Sequence, residues 1–303
     1  MTIIDAHSHL WMKQDTIVDG KRILSQKNGR SIFMDEEVQM LPPFIIDGKN
    51  TAEIFLSNMN YAQVNAAVVV QEIIDGNQND YLGKVQKRYP NRFFCMGMPE
   101  FTPQGTAKHA MLDACSIHAN GLKGISLPAH RLSMPLQELV PMFKYMEKQK
   151  MILSICLGDD ERQIDEMREV IHECPDMKVA IGHFGMVTTN SFERQVALAL
   201  EGKNVMIESG GITWLFHKEF YPYPSAIRSI RRAIDIAGID RLMWGSDYPR
   251  TITAITYRMS YDFICKSSEL SDEEKRMFLG KNAEAFYGFS NLPALPYIRN
   301  MSE

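Results

Sequence analysis

Asp5-Ala6-His7-Ser8-His9 closes the first apolar run of the chain. Residues two apart on a strand project to the same side, so His7 and His9 point together and lie near enough to share one divalent cation. Two buried histidines bonded to neighbouring loops would leave the same trace in the sequence, and what weighs against that is their company. Asp247, in Trp244-Gly245-Ser246-Asp247-Tyr248-Pro249, ends the last apolar run. His183, in Ala180-Ile181-Gly182-His183-Phe184-Gly185, ends the sixth, with small neighbours that leave room for a ligand near the backbone. Alone, an Asp before Tyr-Pro could start a turn or cap a helix, and a lone histidine could be a core residue. Brought together, three imidazoles and a carboxylate form a donor set for a single cation.

Something must position these four side chains. Eight short apolar runs recur, at 2–11, 65–72, 92–99, 121–128, 151–158, 178–185, 204–211 and 241–249, separated by stretches of helical periodicity. From the third to the seventh, successive starts lie 29, 30, 27 and 26 residues apart, the length of one strand, one helix and two loops. Runs such as Ala66-Ala67-Val68-Val69-Val70 lack alternation, as strands covered on both faces do. Eight such units predict an α/β fold closed into a barrel, in which the last strand pairs with the first. Asp247 then arrives beside His9, although 238 positions (247 − 9) separate them. An open doubly wound sheet is the rival, but its glycine-rich first turn is missing here.

The span 12–50, polar and carrying Gly20, Gly29, Gly48 and Pro42-Pro43, reads as a long loop excursion over the barrel mouth. Ser271 to Gly280 opens with a Ser-Asp-Glu-Glu cap signal, and the helix continues through Tyr287 to close on the barrel wall. No linker or second compositional zone interrupts the chain, so one domain, 1–303, is expected.

Composition narrows the function classes. With 45% hydrophobic and 23% charged residues the 303-residue chain can bury a large core. The balance of 33 basic and 37 acidic residues, a net charge of −4, offers no field for nucleic acid or an anionic membrane, and leaves a small-molecule substrate as the expected partner. Homo-oligomerisation stays open. Five scattered cysteines without a Cys-x-x-Cys pair argue against a disulfide framework or a zinc knuckle, and fit the cytoplasm. The opening residues do not read as a signal peptide, and no 18-residue apolar run occurs.

DAHSHLW, KVAIGHFG and RLMWGSDYP, in this order, resemble the amidohydrolase superfamily, specifically its amidohydrolase-related branch of metal-dependent hydrolases and decarboxylases. Val69-Val70-Gln71-Glu72, Asn79-Asp80-Tyr81-Leu82 and Tyr89-Pro90-Asn91-Arg92-Phe93 are similar to the sugar-lactone and pyrone-dicarboxylate lactonases within it. The resemblance implies a distorted (β/α)8 TIM barrel. It places His7, His9 and Asp247, with His183, at metal or catalytic positions, His183 activating or orienting the substrate. It further implies one divalent metal, zinc first, while some lactonases of this type work without metal. Decarboxylase-type members supply a histidine at the end of the fifth strand; this chain has Cys156, either a thiolate ligand or a buried thiol. The fourth strand offers no carboxylate to bridge two metals.

The chemistry expected is the opening of a lactone or related ester of a small carboxylated or sugar-derived molecule, with Asp247 as general base and His183 stabilising the oxyanion. A metal-dependent decarboxylase or hydratase is the first alternative, and a non-catalytic small-molecule binding barrel the second. Arg250, Arg131 and Arg30 are candidates to hold a substrate carboxylate. Glu208, Gln71 and Trp11 are candidates to shape the pocket, with His130 and His217 as weaker contacts.

Overall fold

The computed structural model describes residues 1–299 and 301. The chain begins with β1 (Ile4–Ser8) and runs through β2 (Asp15–Val18), β3 (Lys21–Ser25), β4 (Arg30–Phe33) and β5 (Glu36–Gln39). It then alternates helices with seven strands: β6 (Ala66–Val69), β7 (Phe93–Cys95), β8 (Gly124–Leu127), β9 (Ile152–Ile155), β10 (Lys178–Ile181), β11 (Val205–Glu208) and β12 (Leu242–Met243). Each of β1 and β6 to β12 lies inside one of the eight apolar runs. They form two parallel ladders, β1-β6-β7 and β8-β9-β10-β11-β12.

Two looser seams close the ladders into a barrel. At one, Gly97 bridges Ile125, and the Ser126 amide donates to the Gly97 carbonyl at 2.8 Å. At the other, Ser8 bridges Tyr248, the His9 amide donates to the Tyr248 carbonyl at 2.7 Å, and the Asp247 amide to the His7 carbonyl at 2.9 Å. The second seam is the closure that joins the start of the barrel to its end. The fold is a distorted TIM barrel.

The barrel interior is a packed cluster that includes Ile4, Ala6, Val68, Phe94, Met96, Ile152, Ala180, Met206 and Met243. Ala283, Phe286 and Tyr287, from the helix Asn282–Tyr287, join it. The final helical segment therefore plugs the floor of the barrel instead of lying along its wall. It is capped as expected: Ser271 and Glu274 form a reciprocal capping box. Side chains of this size each contribute about 1.5–3 kcal/mol on full burial, so the floor is firmly closed and chemistry is confined to the carboxyl ends of the strands.

The excursion after β1 is not a loop. It folds as an antiparallel meander in the order β2-β3-β4-β5. Its turns are Asp19-Gly20 (φ 50° and 74°) and Met34-Asp35 (φ 53° and 68°), two-residue connections of the kind that match strand twist. Asn28-Gly29 (φ 60° and 70°) lies in the longer turn between β3 and β4. The Asp-Gly and Asn-Gly pairs were the hairpin signals in this stretch. The strands they join are four or five residues long and mostly exposed on one side, so no apolar run marks them. Trp11 fastens the excursion's base, donating from Nε1 to the Gly48 carbonyl at 3.1 Å and packing with Leu41 and Ile45. Among the described residues, no helix is long and apolar enough to cross a membrane.

Candidate active site

An irregularity in β1 aims the two histidines. Asp5 pairs with Ala67 and Ser8 with Val69, so three steps along β1 oppose two along β6. One extra residue reverses the alternation. Ile4 and Ala6 face the packed interior, yet His7 and His9 both face the mouth above it. Asp5 points the other way and receives hydrogen bonds from the Ser246 amide (2.8 Å), the Ser246 hydroxyl and the Tyr257 hydroxyl (2.6 Å). Burial pushes the Asp5 carboxyl up to about 6 in spite of those donors. These bonds tie the turn that carries Asp247 to the root of the histidine strand.

Each histidine has its own carboxylate. His7 Nδ1 lies 2.7 Å from Glu208 Oε1, and His9 Nδ1 lies 3.0 Å from Asp75 Oδ2. A carboxylate beside Nδ1 accepts a hydrogen bond from that nitrogen's N–H and so leaves Nε2 as the lone-pair donor, the arrangement common to metal-ligating histidines. The two Nε2 atoms are 3.2 Å apart, with Asp247 Oδ1 at 3.1 Å from that of His9 and 3.9 Å from that of His7. Three lone-pair atoms this close repel one another unless something positive sits among them. That can be a proton: burial opposes charge on His9, but Asp75 and Asp247 override it and hold the imidazole at about 10. His7 is likewise raised against burial, by Glu208. Asp247 is held well below the usual carboxylate range, its burial outweighed by His9, His183 and His7. It can equally be a divalent cation, for which these donors fit in type, spacing and backing.

Glycines make the crowding feasible. A Cβ on Gly245 would stand 2.7 Å from the His7 Cβ, and one on Gly210 2.9 Å from the His7 Cγ. Glu208, fully buried, also accepts from the Gly210 amide at 2.5 Å.

His183 sits beside this group, its ring 4.6 Å from that of His7. Its Nδ1 contacts the Gly210 carbonyl at 2.7 Å and must carry the proton there. Burial, followed by the neighbouring His7, lowers its pKa. Neutral His183 thus presents an unprotonated Nε2, which suits it to accept a hydrogen bond or hold a cation and not, as expected from the sequence, to donate to an oxyanion. Both His183 (φ 56°) and Asp247 (φ 57°) occupy the left-handed region, strain of the kind that clusters at working sites. Cys156 is close by: ligating atoms of His7, Cys156 and His183 lie within 4.8 Å of one another. Burial, then the Glu208 charge, pushes its thiol far up.

The other sequence candidates divide. Arg131 Nε pairs with Glu72 Oε1 at 2.7 Å, partly exposed, and lies near His130, whose pKa falls to about 4 through burial, then Arg131 and His183. Arg250 stacks on Trp214, its guanidinium carbon 3.9 Å from the ring centre. Glu208 serves His7 and does not line the pocket. Gln71 is committed to the backbone, donating to the Met96 carbonyl at 2.9 Å and accepting from the Gln78 amide at 2.8 Å. Trp11 is buried at the root of the excursion. Arg30 pairs with Glu37 on the exposed meander, and His217 is an exposed residue bonded to the Trp214 carbonyl. These last four are structural in placement, because strand-end and loop polar groups are used up satisfying the chain itself.

Three neighbours escaped the sequence reading. Asp75 holds His9; Gln14 donates to Asp75 at 3.1 Å and accepts from Ser31; the Trp214 Nε1 donates to Asp247 Oδ2 at 2.6 Å. All three stand on connecting segments, where neither periodicity nor spacing marks direction. A separate cleft of about 450 Å³, lined in part by Gln78, Asp80 and Asp113, shares no residue with the histidine cluster.

Comparison with known proteins agrees with this fold and gives the family. The amidohydrolase family model matches residues 4–289. No curated protein matches the chain in sequence. Among solved structures, a probable 2-pyrone-4,6-dicarboxylic acid hydrolase from Acinetobacter baumannii, with citric acid bound, aligns at a TM-score of 0.68 and 20% identity, over 95% of this chain and 100% of its own. An amidohydrolase from Burkholderia multivorans with bound zinc aligns at 0.65 and 14% identity, over 97% of this chain and 100% of its own. A 5-carboxyvanillate decarboxylase from Sphingomonas paucimobilis aligns at 0.58 and 17% identity, over 80% and 84%. At such identities the structural likeness speaks for the barrel alone. The family match is broader evidence, since it spans all eight barrel strands and every side chain of the cluster: the chain belongs to the amidohydrolase family.

Proposed function

We propose that this protein is a hydrolase that opens a lactone or related ester of a small carboxylated or sugar-derived molecule, with one divalent cation, zinc first, held by His7, His9 and Asp247 and assisted by His183. The observation that carries this is the convergence of two Nε2 atoms and one carboxylate oxygen, each imidazole backed by its own acid. A cation bound there would bring the pKa of a water in its reach down to about 7 and polarise the scissile carbonyl. Asp247 takes one proton from a water in the cluster, while His183 Nε2 accepts a hydrogen bond from that water's other O–H and aims the oxygen. The oxygen bonds to the carbonyl carbon, the acyl C–O bond breaks, and the leaving oxygen takes the proton held by Asp247, giving the ring-opened acid and restoring the carboxylate. Arg131 and Arg250 at the mouth bind the substrate's carboxylate. The whole chain acts as one domain, in the cytoplasm, where its unpaired thiols stay reduced.

Decarboxylation is the second reading, favoured by the likeness to the 5-carboxyvanillate decarboxylase. Cys156, at the end of β9, counts against it.

The test is product analysis on zinc-loaded protein with a panel of lactones that includes 2-pyrone-4,6-dicarboxylate. Ring-opened acid without carbon dioxide is expected; carbon dioxide as the main product transfers the chain to the carboxy-lyases, and neither product refutes both. Asp247→Asn is expected to lower kcat at least ~100-fold with the fold retained.

A further inference from the structure

The half-buried indole of Trp214 serves two groups at once. Its Nε1–H donates to Asp247 Oδ2 at 2.6 Å, and its face carries the guanidinium of Arg250 at 3.9 Å. The backbone is shaped for this placement. Gly211 lies in the left-handed region at φ 70°, and a Cβ there would stand 1.9 Å from Trp214 Nε1 and 2.6 Å from its Cε2. Only glycine lets the indole fold back over its own turn. The chain's other tryptophans differ: Trp11 and Trp244 are buried and donate to the backbone carbonyls of Gly48 and Ser260. Of the three, Trp214 alone gives its proton to a carboxylate, a charge-assisted bond stronger than a neutral one.

We infer that Trp214 is a positioning residue of the hydrolytic site: the edge of its indole clamps one oxygen of Asp247 so that the other faces His7 and His9, and its face carries Arg250 as the anchor for an anionic group of the substrate. Without the clamp the carboxylate turns about its own axis and spends less time with Oδ1 toward the cluster. The inference rests on the hydrolase reading above and assigns to an unrecognised side chain the coupling of base orientation to anion binding.

Two kinds of measurement test it. Trp214→Phe keeps an aromatic face for Arg250 and removes the N–H along with part of the indole; kcat is expected to fall about tenfold with KM within twofold, the signature of a lost interaction in the reacting state. Gly211→Ala, which pushes the indole away while leaving it in the chain, is expected to reproduce that fall. Arg250→Gln should show the opposite split, raising KM for a carboxylated lactone about tenfold and for a neutral lactone less. The clamp itself is read without turnover. In protein labelled with ¹⁵N at the indole nitrogens, three N–H cross-peaks are expected, and the one furthest downfield vanishes in Trp214→Phe and moves upfield in Asp247→Asn. Unchanged kcat in Trp214→Phe, or a cross-peak indifferent to Asp247→Asn, overturns the inference. A wild-type protein that opens no lactone while its cross-peak still answers to Asp247 sinks the hydrolase reading and leaves the clamp standing.

Discussion

His7 and His9 stand two residues apart on one strand, yet they are held by different parts of the molecule. The partner of His7 is Glu208, the last residue of the barrel strand β11, fully buried and shared with the Gly210 amide. The partner of His9 is Asp75, on the connection after β6, which is itself steadied by Gln14 at the edge of the meander. One support is part of the barrel wall; the other stands on a connecting segment and is braced by the excursion. The lesson is that a matched pair of imidazoles can have unequal foundations, the first insensitive to anything outside the barrel and the second exposed to what the meander does.

Substitutions sharpen that contrast. Glu208→Gln should be the most damaging, because a neutral amide cannot accept from both His7 and Gly210. Zinc affinity, measured by competition with a chromophoric chelator, is expected to fall ~100-fold, and urea unfolding to show a loss of about 3 kcal/mol. Asp75→Asn is expected to weaken zinc about tenfold with stability within about 1 kcal/mol of the parent, since His9 borders the mouth and can borrow water. Gln14→Ala, one step further out, is expected to weaken zinc only about threefold, below what a direct partner gives. If Gln14→Ala matches Asp75→Asn, the meander is an integral part of the site and the distinction between the two foundations collapses. If Glu208→Gln leaves stability untouched, the wall support has been misjudged.

What the sequence made legible follows the range of the interactions involved. His-Ser-His on a short strand needs only alternation to be seen, and Asp247 needs only barrel closure, which the regular spacing of the apolar runs supplied. Even so, alternation gave the right pairing for an incomplete reason: following inward-facing Ala6, His7 would face outward were it not for the extra residue in β1. The meander was hidden because its strands are short and half exposed, although Asp19-Gly20 and Asn28-Gly29 announced turns. Asp75, Gln14 and Trp214 were beyond reach for another reason. Each meets its partner from a connecting segment whose path depends on packing far away in the chain: Asp75 is 66 positions from His9, and Trp214 is 33 from Asp247. Gln71, Trp11 and Arg30 erred in the opposite sense. Polar and aromatic residues near strand ends serve the loops as often as the ligand, and nothing in their spacing tells which.

The plug of Phe286 and Tyr287 beneath the strands has a kinetic side. A cup sealed at its base has one doorway, so the molecule entering and the molecule leaving must take turns. In the proposed reaction, opening a ring makes a longer and more acidic species than the one that came in, and it would depart past the same Arg250 and Arg131 proposed to greet its parent. Accumulated acid is then expected to compete with fresh lactone for entry, so that the reaction slows by its own output before the lactone is exhausted.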